Sequence, residues 1–268
     1  MKQQLKGLFI SFVVILLTVL PTGCSQQSTP KILKVGVTAG PHAEIMDAVK
    51  KTAEKEGLKI EIVEFNDYIQ PNVALSQGDI DVNSFQHMPY LDNIIKDRHY
   101  DIVSVANSVI FPMGIYSAKA KSIDELPVGA IVAIPNDPTN ESRALLLLEK
   151  SGVLQLKPGA GIKAAITDIV ANPKKIMIKE LDAAQIPRSL ADMDAAAINT
   201  NYALTAGLSP AGDTIAMEDI NSPYANIIAV RCKDKESPAI QQFIKAYHSD
   251  EVKAFIAEHF KGTVIPAW

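Results

Sequence analysis

Cysteine and aromatic residues are scarce in this chain, and its charges nearly balance. Two cysteines in 268 residues cannot build a disulfide scaffold and are too few for a cysteine-rich structural zinc site. Aromatic residues make up 6% of the chain, which argues against a carbohydrate-binding surface of stacked rings. The formal net charge is −4 and the basic residues are scattered, so the positive surface of a nucleic-acid binder is missing.

Common catalytic and cofactor-binding motifs are also missing. No G-x-S-x-G elbow or complete glycine-rich phosphate loop occurs, and the nearest strings, at 207–212 and 159–163, have the wrong spacing. His42 and Glu44 form an H-x-E pair without the P-C-x-x-C of a zinc deaminase. The five histidines lie far apart, so a metal site would need to be assembled from distant residues. We therefore predict no metal, no cofactor and no catalytic residue.

Residues 1–24 differ from the rest of the chain. Lys2 and Lys6 precede an uncharged apolar run over 7–20. As a helix this run would reach about 21 Å, which is less than the ~30 Å hydrocarbon core of a bilayer. The pattern predicts a secretory signal peptide over 1–23, in preference to a membrane-spanning helix or a buried core helix.

The apolar run ends in the sequence LPTGC, which resembles the cleavage box of bacterial lipoproteins. In that interpretation Cys24 becomes the lipidated first residue, and the polar residues 24–31 form a linker between membrane and domain. The expected location is the cell envelope, with a lipid anchor in a bacterial membrane and the domain facing the periplasm or the exterior.

From Lys31 onward, short β-branched runs alternate with amphipathic segments. Strands are predicted at 32–37, 59–65, 80–85, 102–106, 130–134, 176–178, 195–198 and 227–230. Helices are predicted at 43–56, 73–77, 89–98, 138–151, 162–171, 185–190, 201–206, 239–247 and 250–260. Such a β-α-β order is typical of mainly parallel sheets flanked by helices, and a chain of this length favours two α/β lobes.

Polar and aromatic residues concentrate in the segments 65–72, 83–90, 135–143, 198–202 and 221–226. We place each at the C-terminal end of a predicted strand, where ligands bind in open α/β sheets. An arginine beside asparagines, as at Asn140 and Arg143, offers a small carboxylate a bidentate fork and neutral hydrogen bonds. A polarizable wall, suited to an aliphatic or thioether side chain, would come from Tyr68, Phe85, His87 and Tyr90.

Three segments resemble the methionine-binding lipoproteins that feed ABC importers: SQGDIDVNSFQHMPYLD, IPNDPTNESRALLLLEK and SPYANIIAV. The similarity runs from about Ile32 to Trp268. It implies a two-lobed, type II-like periplasmic-binding-protein fold whose lobes are joined by two crossing segments and close over one L-methionine. Lobe I would comprise residues 32–112 with 225–268, and lobe II residues 113–224.

The resemblance also implies roles for individual residues. Arg143 would take the ligand carboxylate, and Asn199 and Asn226 would hold the amino and carboxylate groups. The ligand side chain would lie among the four wall residues, with Asn140 in support. The implied partners are L-methionine, the importer's permease and its ATPase, with the protein acting as a monomer.

Two alternatives stay open. Within the same class, the ligand could be D-methionine or a methionine-containing dipeptide. From another class, a secreted amide hydrolase would need a nucleophile–base pair, and His87 has no orienting acid beside it in the sequence.

Overall fold

A computed structural model describes residues 32–268. The predicted signal peptide (1–23), Cys24 and the linker (24–31) lie outside the described residues. The strands are β1 (Leu33–Thr38), β2 (Ile60–Phe65), β3 (Val82–His87), β4 (Ile102–Asn107), β5 (Val109–Ile110), β6 (Gly114–Tyr116), β7 (Ile131–Pro135), β8 (Gln155–Leu156), β9 (Ile169–Ala171), β10 (Met177–Leu181), β11 (Ala195–Ile198), β12 (Thr214–Met217), β13 (Asn226–Arg231) and β14 (Ile265–Pro266).

The α-helices are α1 (Pro41–Lys55), α2 (Gln70–Gln77), α3 (Met88–Arg98), α4 (Pro138–Lys150), α5 (Ile186–Ser189), α6 (Thr200–Thr205), α7 (Pro238–Tyr247) and α8 (Asp250–Phe260). Several begin where the sequence carries a cap or a proline. Asp137 accepts a hydrogen bond from Asn140 N at the start of α4, and Ser249 accepts one from Val252 N at the start of α8.

The first sheet has the strand order β2-β1-β3-β13-β4. β1, β2 and β3 run parallel, whereas β13 is antiparallel to both of its neighbours. Helix α1 packs against the sheet and against α7 and α8. Their apolar faces form one core cluster that includes Val35, Ile45, Val49 and Phe243, each fully buried. The first sheet and the helices packed on it form the first half of the protein, and the second sheet with its helices forms the second half. The first half takes its strands from both ends of the described chain.

The second sheet has the order β10-β7-β11-β6-β12. β7, β10 and β11 are parallel, and β6 is antiparallel to β11 and β12. Helix α4 covers one face and contributes Leu145 and Leu148 to the core. In each sheet the antiparallel strand follows directly after the chain has crossed from the other sheet: β6 after residues 108–113, and β13 after residues 218–225.

The prediction of two α/β sheets flanked by helices is confirmed. The boundaries of the lobes at 112/113 and 224/225 stay a prediction, although the strands change sheet close to both positions. Within residues 32–268, no helix combines the length and the apolar character that a membrane span requires.

The predicted helix at 162–171 is wrong. This segment forms two short 3-10 helices, at Gly161–Lys163 and Ile166–Asp168, followed by strand β9. The backbone is extended at Ala165, where Asp168 accepts a hydrogen bond from the amide, and β9 pairs with β8. A local side-chain cap and strand pairing thus override the apolar spacing that suggested a helix.

Candidate functional site

A cavity lies between the two sheets. All eight predicted ligand residues line it, and four further residues do so as well. The lining consists of Tyr68, Phe85, Gln86, His87, Tyr90, Phe111, Asn140, Arg143, Asn199, Thr200, Asn201 and Asn226. The structure therefore brings together side chains that are far apart in the sequence.

Strand ends position these side chains from both sheets. Phe85 and His87 lie on β3, and Asn199 follows β11. The expectation that every polar segment follows a strand is wrong for residues 221–226, which precede β13. Because β13 is antiparallel to β3, Asn226 pairs with His87 and still reaches the edge where β3 ends.

Asp137 fixes the orientation of two asparagines in the cavity. Its carboxylate accepts from Asn140 Nδ2 at 2.8 Å, so Asn140 must point its oxygen the other way. Asn140 Oδ1 then accepts from Asn199 Nδ2 at 2.8 Å. Asn199 Oδ1 is consequently left buried in the cavity wall, where no described residue donates to it.

Asn226 has a similarly determined orientation. Its Nδ2 donates to the backbone oxygen of Phe85 at 3.1 Å and approaches His42 Nε2 at 2.9 Å. A carbonyl oxygen can only accept, so the amide nitrogen faces the protein and Oδ1 is directed to the cavity side. No residue in 32–268 donates a hydrogen bond to this oxygen.

His87 is held as a neutral imidazole. Its Nδ1 accepts from the Tyr90 amide at 3.1 Å, which leaves the proton on Nε2, 3.3 Å from Asn140 Oδ1. Burial, together with the positive charge of Arg143, lowers the pKa of His87 to about 3. Both ring nitrogens are thus engaged with the protein, and neither is placed to act as a base.

Arg143 forms a buried ion pair with Glu218, a residue that the sequence analysis did not identify. Arg143 Nε lies 3.0 Å from Glu218 Oε1, and Nη2 contacts Glu218 Oε2 and donates to the backbone oxygen of Phe111 at 2.8 Å. The guanidinium carbon lies 4.5 Å from the centre of the Tyr224 ring. Nη1 has no hydrogen-bond partner in the described part of the chain. The predicted bidentate fork is therefore occupied, and one end of the guanidinium remains for a ligand.

Aromatic rings form the opposite wall. The ring of Tyr68 lies 5.9 Å from that of Phe85 and 6.0 Å from that of Tyr90, measured between centres. Tyr68 also packs on Tyr202 of the second half, with 4.8 Å between ring centres, and donates to Asn201 Oδ1 at 2.6 Å. Burial raises the pKa of the Tyr68 hydroxyl well above its usual value, so it stays a donor.

Among the polar residues near the ligand space that were not predicted from sequence, Asn201 and Glu218 were missed for different reasons. Asn201 lies within the segment 198–202 that was singled out, and its Nδ2 is buried without a partner among residues 32–268. Glu218 lies in an irregular segment after β12, where no periodicity or motif marks it. Its role depends on a contact with Arg143 across the fold, which local sequence does not encode.

Within residues 32–268, no group of three or more His, Cys, Asp or Glu side chains is arranged to hold a metal ion. The titratable groups nearest the cavity are paired with each other, as Arg143 with Glu218, or held neutral, as His87. The arrangement can bind polar groups and shield them from water.

The chain is similar to a family of bacterial lipoproteins and to several of its characterised members. The NlpA lipoprotein family model matches residues 33–268. The D-methionine-binding lipoprotein MetQ of Escherichia coli K12 is 48% identical over 250 residues, which are 92% of each chain.

Two solved structures extend the comparison. A nutrient-binding protein from Burkholderia cenocepacia bound to methionine is 56% identical, with a TM-score of 0.87, covering 88% of this chain and 100% of that one. A periplasmic substrate-binding protein of an ABC transporter from Coxiella burnetii is 48% identical, with a TM-score of 0.85 and the same coverage. On the family match and these identities over nearly the whole described chain, this chain belongs to the NlpA lipoprotein family.

Proposed function

We propose that this protein is the lipid-anchored receptor of an ABC importer and that it captures L-methionine in the cavity between its two sheets. One observation carries the proposal: four polar atoms that line the cavity have no partner among the described residues. Two are acceptors, Asn199 Oδ1 and Asn226 Oδ1, and two are donors, Asn201 Nδ2 and Arg143 Nη1.

This set is complementary to the backbone of a free amino acid. An α-ammonium group donates hydrogen bonds and suits the two acceptors, whereas an α-carboxylate accepts them and suits the two donors. Asn199 Oδ1 and Asn201 Nδ2 are buried without a partner among the described residues, which is costly, so a ligand that satisfies them stabilises the site. The roles of Arg143, Asn199 and Asn226 in ligand binding follow from this complementarity, and Asn201 joins them.

The wall of Tyr68, Phe85, His87 and Tyr90 suits a thioether side chain, because sulfur makes favourable contacts with aromatic ring edges. Asn140 contributes indirectly, by orienting Asn199. Relatives named as a D-methionine-binding lipoprotein and as a methionine binding protein support the same ligand class. The receptor would deliver methionine to a permease and its ATPase as a monomer, held in the cell envelope through lipidated Cys24.

D-methionine is the second candidate, since several relatives carry it in their names. A methionine-containing dipeptide is the third.

Hydrolysis is disfavoured, because both nitrogens of His87 are engaged and the Thr200 hydroxyl donates to the backbone oxygen of Pro112. The cavity therefore offers no activated nucleophile beside a base.

Calorimetric titration of the described domain tests the proposal. We expect saturable binding of L-methionine, weaker binding of alanine, and no chemical change in recovered ligand by mass spectrometry. D-methionine and a methionyl dipeptide are titrated in parallel. Failure of every methionine compound to bind would refute the proposal. Tighter binding of D-methionine or of the dipeptide would show that this compound, and not L-methionine, is the ligand.

A further inference from the structure

His42 lies behind the cavity, in the first turn of α1, and is only 3% exposed. Its ring packs against Phe111 with 4.6 Å between centres. The helix begins close to the second half of the protein: Gly40, with φ of 81°, precedes it, and a side chain there would overlap the hydroxyl of Thr205 on α6. The backbone therefore places His42 at a fixed position beside the ligand space.

The hydrogen bonds around His42 define a single tautomer. Because Asn226 directs its NH2 group to the backbone oxygen of Phe85 and to His42 Nε2, that nitrogen must accept. The ring proton then resides on Nδ1, which lies 2.7 Å from Thr38 Oγ1 and donates to it. Burial lowers the pKa of His42 to about 3, which keeps the ring neutral near neutral pH.

Reversal of the Asn226 amide would break this arrangement. Its oxygen would face the oxygen of Phe85 and the unprotonated Nε2 of His42, so that acceptors would oppose acceptors. The NH2 group would then enter the cavity, where a ligand ammonium group would meet a donor. The orientation of Asn226 thus decides which kind of ligand group is accepted beside it.

We propose that His42 is a positioning residue that holds the Asn226 oxygen toward the cavity, and that this makes the site select ligands with a free α-ammonium group. The proposal rests on the proposed function of the cavity as an amino-acid site. It adds the device by which an amino acid is distinguished from an α-keto acid that has the same side chain.

The test compares methionine with its α-keto analogue, which carries only an acceptor where methionine carries its ammonium group. The parent should bind methionine far more tightly than the keto acid. His42→Leu removes the acceptor for Asn226, so the ratio of the two affinities should fall by about tenfold, with methionine weakened and the keto acid not weakened.

His42→Gln is the matched control, because a glutamine oxygen reaches the position of Nε2 and can accept from Asn226. It should restore the parent ratio. A merely structural histidine would weaken both ligands by the same factor in His42→Leu, and that result would overturn the proposal. Thr38→Val offers a second variant, since it removes the acceptor that favours the Nδ1 proton; a smaller fall in the ratio is expected.

Nitrogen-15 NMR of the ligand-free protein provides a test that does not depend on methionine. We expect His42 with a protonated Nδ1 and an unprotonated Nε2, and a protonated Nε2 would overturn the proposal. If the parent binds no methionine compound while the NMR shows the expected tautomer, the proposed function fails and the positioning of Asn226 by His42 stands.

Discussion

Glu218 occupies the Nε–Nη2 edge of Arg143, the edge that would otherwise grip a carboxylate with two parallel hydrogen bonds. The pair is buried, with side chains 4% and 13% exposed. In the ligand-free protein the positive charge is therefore already balanced. In the proposed complex, the ligand carboxylate would meet a neutral pair through Nη1, and the contact would be single-ended in place of a fork.

Glu218→Gln should distinguish the stabilising effect of Glu218 on the ligand-free protein from the effect of a ligand carboxylate on Arg143. The free energy of unfolding of the ligand-free variant should fall by about 1–3 kcal/mol, because Arg143 loses its charge partner but keeps an acceptor. Methionine should then raise the melting temperature more in the variant than in the parent, since its carboxylate supplies the missing anion. Thermal melts with and without methionine measure this. Glu251→Gln, in an exposed ion pair with Lys55, is the control and should change little.

Arg143→Ala should weaken methionine binding by roughly 30- to 5,000-fold, the effect of about 2–5 kcal/mol on losing one partner of a buried charge pair. The same change leaves Glu218 buried without a cation, so calorimetry should also be done in a Glu218→Gln background. A folded Arg143→Ala protein that binds methionine as tightly as the parent would show that Arg143 does not hold the carboxylate.

Tyr68→Phe should favour separation of the two halves. It removes the 2.6 Å hydrogen bond to Asn201 but keeps the ring, so methionine affinity should fall by about 2- to 13-fold. Small-angle scattering should show that methionine compacts the parent. The ligand-free variant should be more expanded than the ligand-free parent, and equal radii would argue against a role in closure. Tyr100→Phe is the matched control, since Tyr100 packs within the first half.

Stability should decrease in mild acid. Burial lowers the pKa of both His42 and His87 to about 3, against about 6.5 in an unfolded chain. Below about pH 6.5 the unfolded state binds more protons, so the free energy of unfolding should fall toward pH 5 by up to about 1.4 kcal/mol per pH unit for each histidine. Urea denaturation at pH 7, 6 and 5 measures the slope. His42→Gln should reduce the slope of the free energy of unfolding against pH by the contribution of one histidine. A slope unchanged from that of the parent would contradict this prediction.

Cys24→Ala tests the anchor, which lies outside the described residues. If Cys24 carries the lipid, the variant should appear in the soluble envelope fraction or the medium. A single acyl chain binds membranes only marginally, so firm retention of the parent implies more than one chain. A variant that remains in the membrane fraction would indicate that residues 7–20 anchor the chain themselves.

The periodicity of apolar residues predicted most of the alternating strands and helices, because the spacing of apolar residues within each element marks the face that it buries. It missed β6 and β12, which are short strands of the second sheet, and it assigned a helix where β9 pairs with β8. β6 and β12 depend on partners far along the chain, and the residues of all these short strands carry too short a pattern to reveal them.

The candidate site could likewise be predicted only in part from the sequence. The polar segments could be located from sequence, and all eight chosen residues line the cavity. The orientation of the amides could not be predicted, because it depends on Asp137 for Asn199 and on Phe85 and His42 for Asn226. The occupation of Arg143 by Glu218 likewise arises only when the two residues meet in the folded chain.

The position of β13 has a consequence for the order of folding. The second sheet takes its strands from the continuous stretch 114–217, whereas the first needs β13 to join β3 to β4. Until residues 226–231 arrive, β3 and β4 have no strand between them, and Asn226 is absent from the site. Bringing distant segments together carries a loop-closure cost that slows folding. During synthesis the second half can therefore fold first, and the proposed ligand site is complete only when the C-terminal segment is in place.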